Sequence, residues 1–437
     1  MRSKLVLSLV AALFALGACD WFGGPDKTPI AGERIAVIAQ DRSVEPDRRL
    51  ADLPVRLPDP VVNNAWAQAG GTPTHAMQHL AGEGFNIAWR ADVGSGISRD
   101  GRISATPIVA AGKIFAVDAG VQVSAFDAAE GGTLWRFDVR PAGDGSGGAG
   151  GGVAFDNGRL YVGTGFAQVI ALDAETGAEV WRTTLTAPVR GAPTVGGGRV
   201  FAITADNQTH SLDADTGRKA WAHAGISESA GIYGGSSPAL FQNIVLAAYS
   251  SGELFALRAD NGRVMWAESL AGALRSDAVS SLADIRGFPV IDRGVVYAAS
   301  HSGRVAAIDL RSGGRIWEQD FGSLYTPWVA GDFIFVTTVE NEVVAVTRRD
   351  GRVRWVQKLP AWRDATRKRG RIVWTGPVLV GGRLFLASSE GEAVVLSATS
   401  GAIETRFGIA GSVTAAPIVA NRTIYVLTDS ATLIALR

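Results

Sequence analysis

Five histidines and a single cysteine are the residues of this 437-residue chain whose types most often carry catalysis or bind metals. His75 and His79 stand four apart, a spacing that could set two imidazoles on one helical face for a metal ion. The pair lacks a nearby third ligand and the glutamate of an H-E-x-x-H motif, so metal ligation is not expected. His210, His223 and His301 are scattered, and no Ser, His and Asp grouping announces a nucleophile. Residues Gly143 to Gly152, GDGSGGAGGG, contain a G-x-G-x-x-G string. That string follows no strand–helix unit and leads into strand-like sequence, so it reads as a connecting loop rather than a phosphate cradle. Carboxylates at Asp127, Asp173, Asp213 and Asp309 recur in one sequence frame. An active site has no use for so many copies of one acid, so they read as turn residues.

The frame to which those carboxylates belong is a repeat. Trp135, Trp181, Trp221, Trp266, Trp317 and Trp355 each follow, by eight residues, Asp127, Asp173, Asp213, Arg258, Asp309 and Thr347. Twenty-eight residues before each Trp stand Pro107, Val153, Pro193, Pro238, Pro289 and Pro327. A seventh unit keeps Pro377 and Ser397 but has Thr405 in the tryptophan's place. No insertion falls inside a unit; all length variation lies between a Trp and the next Pro. Within each unit β-rich runs are separated by glycine-containing breaks, and the Asp-x-x-x-Gly step suits a tight hairpin. One Trp per unit is best used as packing between adjacent sheets.

An eighth unit starts at Pro417 and lacks its last strand, while the stretch FNIAWRADV, with Trp89, is a strand without a unit. The simplest solution is an all-β, eight-bladed propeller over residues 85–437, at about 44 residues per blade, in which this N-terminal strand pairs with the C-terminal blade and closes the ring. Complementary end fragments argue against an open solenoid, which would carry caps.

Residues 1–18 read as a signal peptide: Arg2 and Lys4, an apolar run from Leu5 to Leu16, then small residues. LGAC, Leu16 to Cys19, resembles a bacterial lipobox, whose cysteine becomes the lipidated first residue. Lipidation of Cys19 would also explain a lone cysteine in an exported chain. Residues 19–84 hold seven of the 17 prolines and few sustained apolar patterns. They are expected to form an extended, lipid-anchored tether, with Trp66 placed to lie against the ring. The 42 basic residues balance the 42 acidic ones, which argues against nucleic acid as a partner.

Connectors between blades should all emerge on one face. Two are long: 23 residues separate Trp266 from Pro289, and 22 separate Trp355 from Pro377, the latter including WRDATRKRGR. Long loops on one face of a rigid scaffold are where binding is usually placed.

The D-x-x-x-G-x-x-x-W signature resembles the blade repeat of quinoprotein dehydrogenases and their non-catalytic relatives. With the lipobox, the tether and eight units, it resembles the BamB family, propeller lipoproteins of the outer-membrane β-barrel assembly machinery. AWRADVGSGI, Ala88 to Ile97, is similar to that family's ring-closing strand, and the stretch from Ser280 to Trp317 to its matching blade and preceding loop. The resemblance implies a non-enzymatic scaffold without cofactor. It would act as one copy in a hetero-complex, bound to the periplasmic domains of a BamA-like protein and its associated lipoproteins, on the periplasmic side of the outer membrane. Asp20, directly after the cysteine, is in enteric bacteria an inner-membrane retention signal. Two neighbouring loops carry the family's contact. The first has Leu-x-Leu-Arg where this chain has Ala230, Gly231, Ile232 and Tyr233; the second has Asp-x-Asp where Asp284 matches and Arg286 takes the second position. Ile232, Tyr233, Leu282, Asp284, Ile285 and Arg286 are therefore the expected partner-binding residues. Trp89, Trp135, Trp181, Trp221, Trp266, Trp317 and Trp355 are the structural blade residues. A general protein- or polysaccharide-binding propeller of the envelope remains an alternative. A quinone-dependent dehydrogenase is a further one, against which stand the single cysteine and the missing acidic and amide cluster for a calcium-held quinone.

Overall fold

The computed structural model describes residues 44–98, 101–103, 105–143, 150–228, 232, 234–272 and 283–437. The lipobox, Asp20, Tyr233 and Leu282 lie outside them. The described residues form eight four-stranded antiparallel sheets and one separate two-stranded hairpin. In the first blade the strands are Ile108–Ala110, Lys113–Val117, Gln122–Asp127 and Thr133–Asp138, running from the axis outward. Blades 2 to 7 repeat this order, beginning with the strands Gly151–Asp156, Thr194–Gly196, Ala239–Phe241, Val290–Asp292, Trp328–Ala330 and Trp374–Val380. The eighth takes Ile418–Ala420, Thr423–Leu427 and Thr432–Leu436 from the C-terminus and its outer strand, Ile87–Asp92, from the N-terminal side. Arg90 pairs with Ile434 and Asp92 with Thr432, so the ring is closed as expected.

The repeated residues hold neighbouring blades together. Each Asp-x-x-x-Gly step is a bulged turn: the Asp173 carboxylate accepts from the backbone N–H groups of Glu175 and Thr176, and Asp213 and Asp309 do the same in their blades. A hydrogen bond from the Thr176 hydroxyl, with the backbone N–H groups, holds the Asp173 carboxyl below its usual range. The turn's glycine has positive φ, and the Trp of the preceding blade lies on it. A Cβ at Gly217 would come 2.6 Å from the Trp181 ring, and one at Gly313 would come as near to Trp266. Each indole from Trp135 to Trp355 also donates to a carbonyl of the next blade's turn, Trp181 to Ala214 at 3.1 Å and Trp266 to Leu310 at 2.8 Å. Within its own blade the Trp faces a small residue across the strand pair, Ala171 opposite Trp181 and Ala256 opposite Trp266.

Blade 7 shows why its Trp is absent. The next sheet takes its outer strand, Ile87–Asp92, from the N-terminal side, so no Asp-x-x-x-Gly turn joins it to the third strand to receive an indole. Thr405 stands there instead, opposite the larger Val395, and Phe85 packs between Phe385 and Phe407 with ring centroids 5.9 and 6.1 Å away. At the seam, the Ala128 carbonyl that would receive the Trp89 N–H is approached by the Arg437 guanidinium and the Tyr425 hydroxyl, and Trp89 Nε1 has no partner.

The tether expected over 19–84 takes a different course where it is described. Residues 61–82 cross one end of the axial channel and bond to the inner strands of all eight blades. Trp66 exchanges two backbone bonds with Val109, and the Ala67 carbonyl accepts from Phe155. Gln68 uses its side-chain amide as a stand-in for backbone, donating to the Val195 carbonyl at 2.8 Å and accepting from Val195 N–H at 3.0 Å. Pro73 and Thr74 accept from Leu240 and Ile291, the Gln78 carbonyl from Trp328 Nε1, and Leu80 bridges Leu379 and Gly381. The circuit closes where Asn63 meets Asn421 and Val419. The inner edge of a blade has unpaired N–H and C=O groups, and this segment partners several of them, both groups at Val109 and Val195 and the N–H at Phe155, Leu240 and Ile291. Its irregular spacing follows the eightfold geometry of the ring, which is why no strand or helix period appears in it.

Candidate functional site

The plug blocks one end of the channel; the other end opens on the connector face. Between them is a cavity of about 490 Å³ lined by the starts of the inner strands and the connectors. Its floor is plug: Trp66, Ala69, Gly70 and His75. Trp66 stacks on Trp328 at 6.2 Å, and His75 packs on Phe288 at 5.2 Å. Ile232 and Arg286, both half-buried, are among its lining residues. Two connectors expected to carry binding thus both contribute to the lining of this axial cavity.

The histidine pair is not a metal site. It lies on the extended plug rather than on a helix, with His75 itself at φ +62°. His75 Nδ1 donates to the Pro289 carbonyl at 2.8 Å. Burial depresses its pKa to about 4, so the ring is neutral at physiological pH. His79 Nδ1 donates to Pro58 O and its Nε2 accepts from Gly382 N–H, so both nitrogens are committed. The plug trades a helical face for blade contacts, and its imidazoles serve those contacts.

The expected docking residues separate by role. Asp284 is fully buried and Ile285 is 1% exposed. The Asp284 carboxylate accepts from the Arg190 guanidinium at 2.8 Å and from Ile232 N–H at 2.9 Å, and Arg190 also donates to the Ile232 carbonyl. Asp284 and Arg190 therefore position the Ile232 backbone, which leaves Ile232 and Arg286 as the described members that line the cavity. Arg190 was not found from the sequence, since it comes from the connector between blades 2 and 3. The signal available was the unmatched charge of an Asp beside Ile285, which demands a cation from somewhere.

A metal-held quinone does not fit the cavity. Asp429 is the one carboxylate among its described lining residues, no side-chain amide joins it, and its oxygens accept from Ser412 and Thr414. Among the described residues no group of three His, Cys, Asp or Glu is placed to hold a metal ion.

The fold and its turn-and-tryptophan repeats define an eight-bladed propeller of the quinoprotein-repeat type. The family model described as outer membrane protein assembly factor BamB matches residues 86–147 and 119–357, and a dehydrogenase β-propeller model matches residues 319–436. The chain belongs to the BamB family. It is 26% identical over 370 residues to outer membrane protein assembly factor BamB of Bordetella pertussis, covering 84% of this chain and 90% of that one. To the Legionella pneumophila BamB it is 30% identical over 195 residues, and that match spans about half of either chain, 45% here and 48% there. The crystal structure of BamB from Moraxella catarrhalis superposes with a TM-score of 0.70 at 22% identity, covering 81% of this chain and 99% of that one. A quinohemoprotein alcohol dehydrogenase from Comamonas testosteroni superposes at 0.65 with 16% identity, covering 85% and 80%, a likeness of fold alone.

Proposed function

We propose that this protein is a non-enzymatic scaffold subunit of the outer-membrane β-barrel assembly complex. It is held by a lipid on Cys19 at the periplasmic side of the outer membrane, and its connector face binds the periplasmic domains of a BamA-like subunit. Membership of the BamB family supports the complex. The observation that carries the docking face is that Ile232 and Arg286 both line the axial cavity, with the Ile232 backbone held by Arg190 and the buried Asp284 carboxylate. An apolar side chain and a guanidinium lining one cavity offer both burial and charge recognition to a partner. Tyr233 and Leu282, outside the described residues, are proposed as further partner contacts.

The test is co-purification of the BamA-like subunit with protein carrying Ile232→Glu or Arg286→Glu. Both changes are expected to cut recovery at least tenfold while leaving the melting temperature unchanged. Full recovery with both variants would reject this face as the docking surface.

A further inference from the structure

Positive charge is concentrated at one corner of this electrically balanced chain. The connector between blades 6 and 7 forms the extra hairpin, with strands Trp362–Asp364 and Arg369–Arg371. Within it Arg363, Arg367, Lys368, Arg369 and Arg371 face the single carboxylate of Asp364.

Its base is fixed. Ile372 N–H donates to Ala361 O, Trp374 Nε1 donates to Pro360 O at 2.8 Å, and Asn341 donates to Pro360 O and Ile372 O. Arg371 lies 5.0 Å over the Trp362 ring and donates to the Val339 carbonyl. Arg363 pairs with Glu390 at 2.6 Å, and Arg367 is 3.6 Å from Asp364. The tip residues Ala365 to Arg369 are exposed. Among the described residues no carboxylate stands within ion-pair distance of Lys368 or Arg369. A rigid base that offers unpaired cations to solvent suits a polyanion.

The point where the described chain begins indicates which polyanion. The described chain begins at the same corner: Val44 N–H donates to Glu342 Oε2 at 3.1 Å, and the other oxygen of that carboxylate is 3.7 Å from Lys358, four residues before the hairpin. Twenty-five residues separate Val44 from Cys19. Fully extended they reach about 85 Å, so a bilayer holding acyl chains on Cys19 is well within range of the hairpin. We propose that the hairpin of residues 362–371 docks on anionic phospholipid headgroups of the membrane that anchors the protein, and so sets the orientation of the ring. The anchor half of this inference rests on the lipidation of Cys19; the hairpin half does not.

The two halves are tested separately. An ordinary cleavable signal in place of residues 1–19 exports a ring without lipid. Flotation of that protein compares vesicles of phosphatidylcholine alone with vesicles also containing phosphatidylglycerol. Binding is expected to the mixed vesicles only, to fade as salt rises, and to weaken at least tenfold in Lys368→Glu/Arg369→Glu, with unchanged melting temperature. Equal binding to both vesicles, no binding to either, or undiminished binding by the variant would overturn the inference. So would a variant that floats normally yet loses the BamA-like subunit, since the hairpin would then be a protein contact. The mass of the native protein's N-terminal peptide reports on lipidation alone. An unmodified Cys19 beside hairpin-dependent binding would sink the anchor and leave the hairpin.

Discussion

The guanidinium of Arg190 lies 2.8 Å from the carboxylate of Asp284, 94 residues further along the chain, and the carboxylate is wholly buried. This pair joins the connectors leading into blades 3 and 5 and holds the backbone of Ile232, which belongs to the connector between them. The charges are matched, and breaking such a pair leaves one ion buried without a partner.

Arg190→Ala is therefore expected to lower stability by about 3–5 kcal/mol. Replacing both residues, as Arg190→Met with Asp284→Leu, should recover most of that loss. Urea denaturation of the two single variants and the double variant measures the coupling. Recovery of the BamA-like subunit by the double variant then shows whether the pair matters beyond holding the loop.

The stacking of each Trp on the next blade's glycine predicts a specific non-additivity. Trp266→Ala should cost about 3–5 kcal/mol, as for a large buried aromatic. Gly313→Ala would place a Cβ 2.6 Å from the indole at φ +74°, adding a clash to the cost of the left-handed backbone. In the Trp266→Ala background only the backbone cost should remain. A double-mutant cycle that comes out additive would refute the contact as the source of the effect.

His75 predicts an acid sensitivity with a definite sign. Burial lowers its folded-state pKa to about 4, against about 6.5 in the unfolded chain. As pH falls through that interval the unfolded state takes up a proton that the folded state refuses, so stability declines. The full loss is about 3 kcal/mol, reached near pH 4. His75→Gln, which keeps a donor for Pro289, should flatten this part of the stability–pH curve. An unchanged slope between neutral pH and about pH 4.5 would assign the sensitivity to other groups.

Gln68 tests the plug. Its side chain alone satisfies both polar groups of Val195 in blade 3. Gln68→Ala leaves a buried N–H and a buried C=O without partners, an expected cost of about 3 kcal/mol. Hydrogen exchange at Val195 should rise with it, while the outer strands of distant blades stay protected. Uniform protection throughout would mean that the plug contributes nothing to blade 3.

Much of the ring was legible in the sequence because each blade solves the same local problem. Asp173, Gly177 and Trp181 meet their needs within one turn and the neighbouring turn, so their spacing is preserved and can be counted. The closing strand was legible for the same reason: Trp89 lacked a unit, and the unit starting at Pro417 lacked a strand. Even the missing Trp of blade 7 follows from the absence of a turn to receive it, although its replacement by Phe85 was not foreseen.

The plug and the site belong to the other category. Residues 61–82 bond to eight strands scattered from Val109 to Asn421, and each contact obeys the position of a blade rather than any period of its own. Asp284 was read as a surface contact from its place in a connector. Only the tertiary structure brings Arg190 to it and buries the carboxylate, because charge pairing across 94 residues leaves no trace in local spacing. The sequence by itself determined the repeat, the closure and the family. The folded ring decided which connector residues line the cavity, because burial depends on what the rest of the chain lays over them.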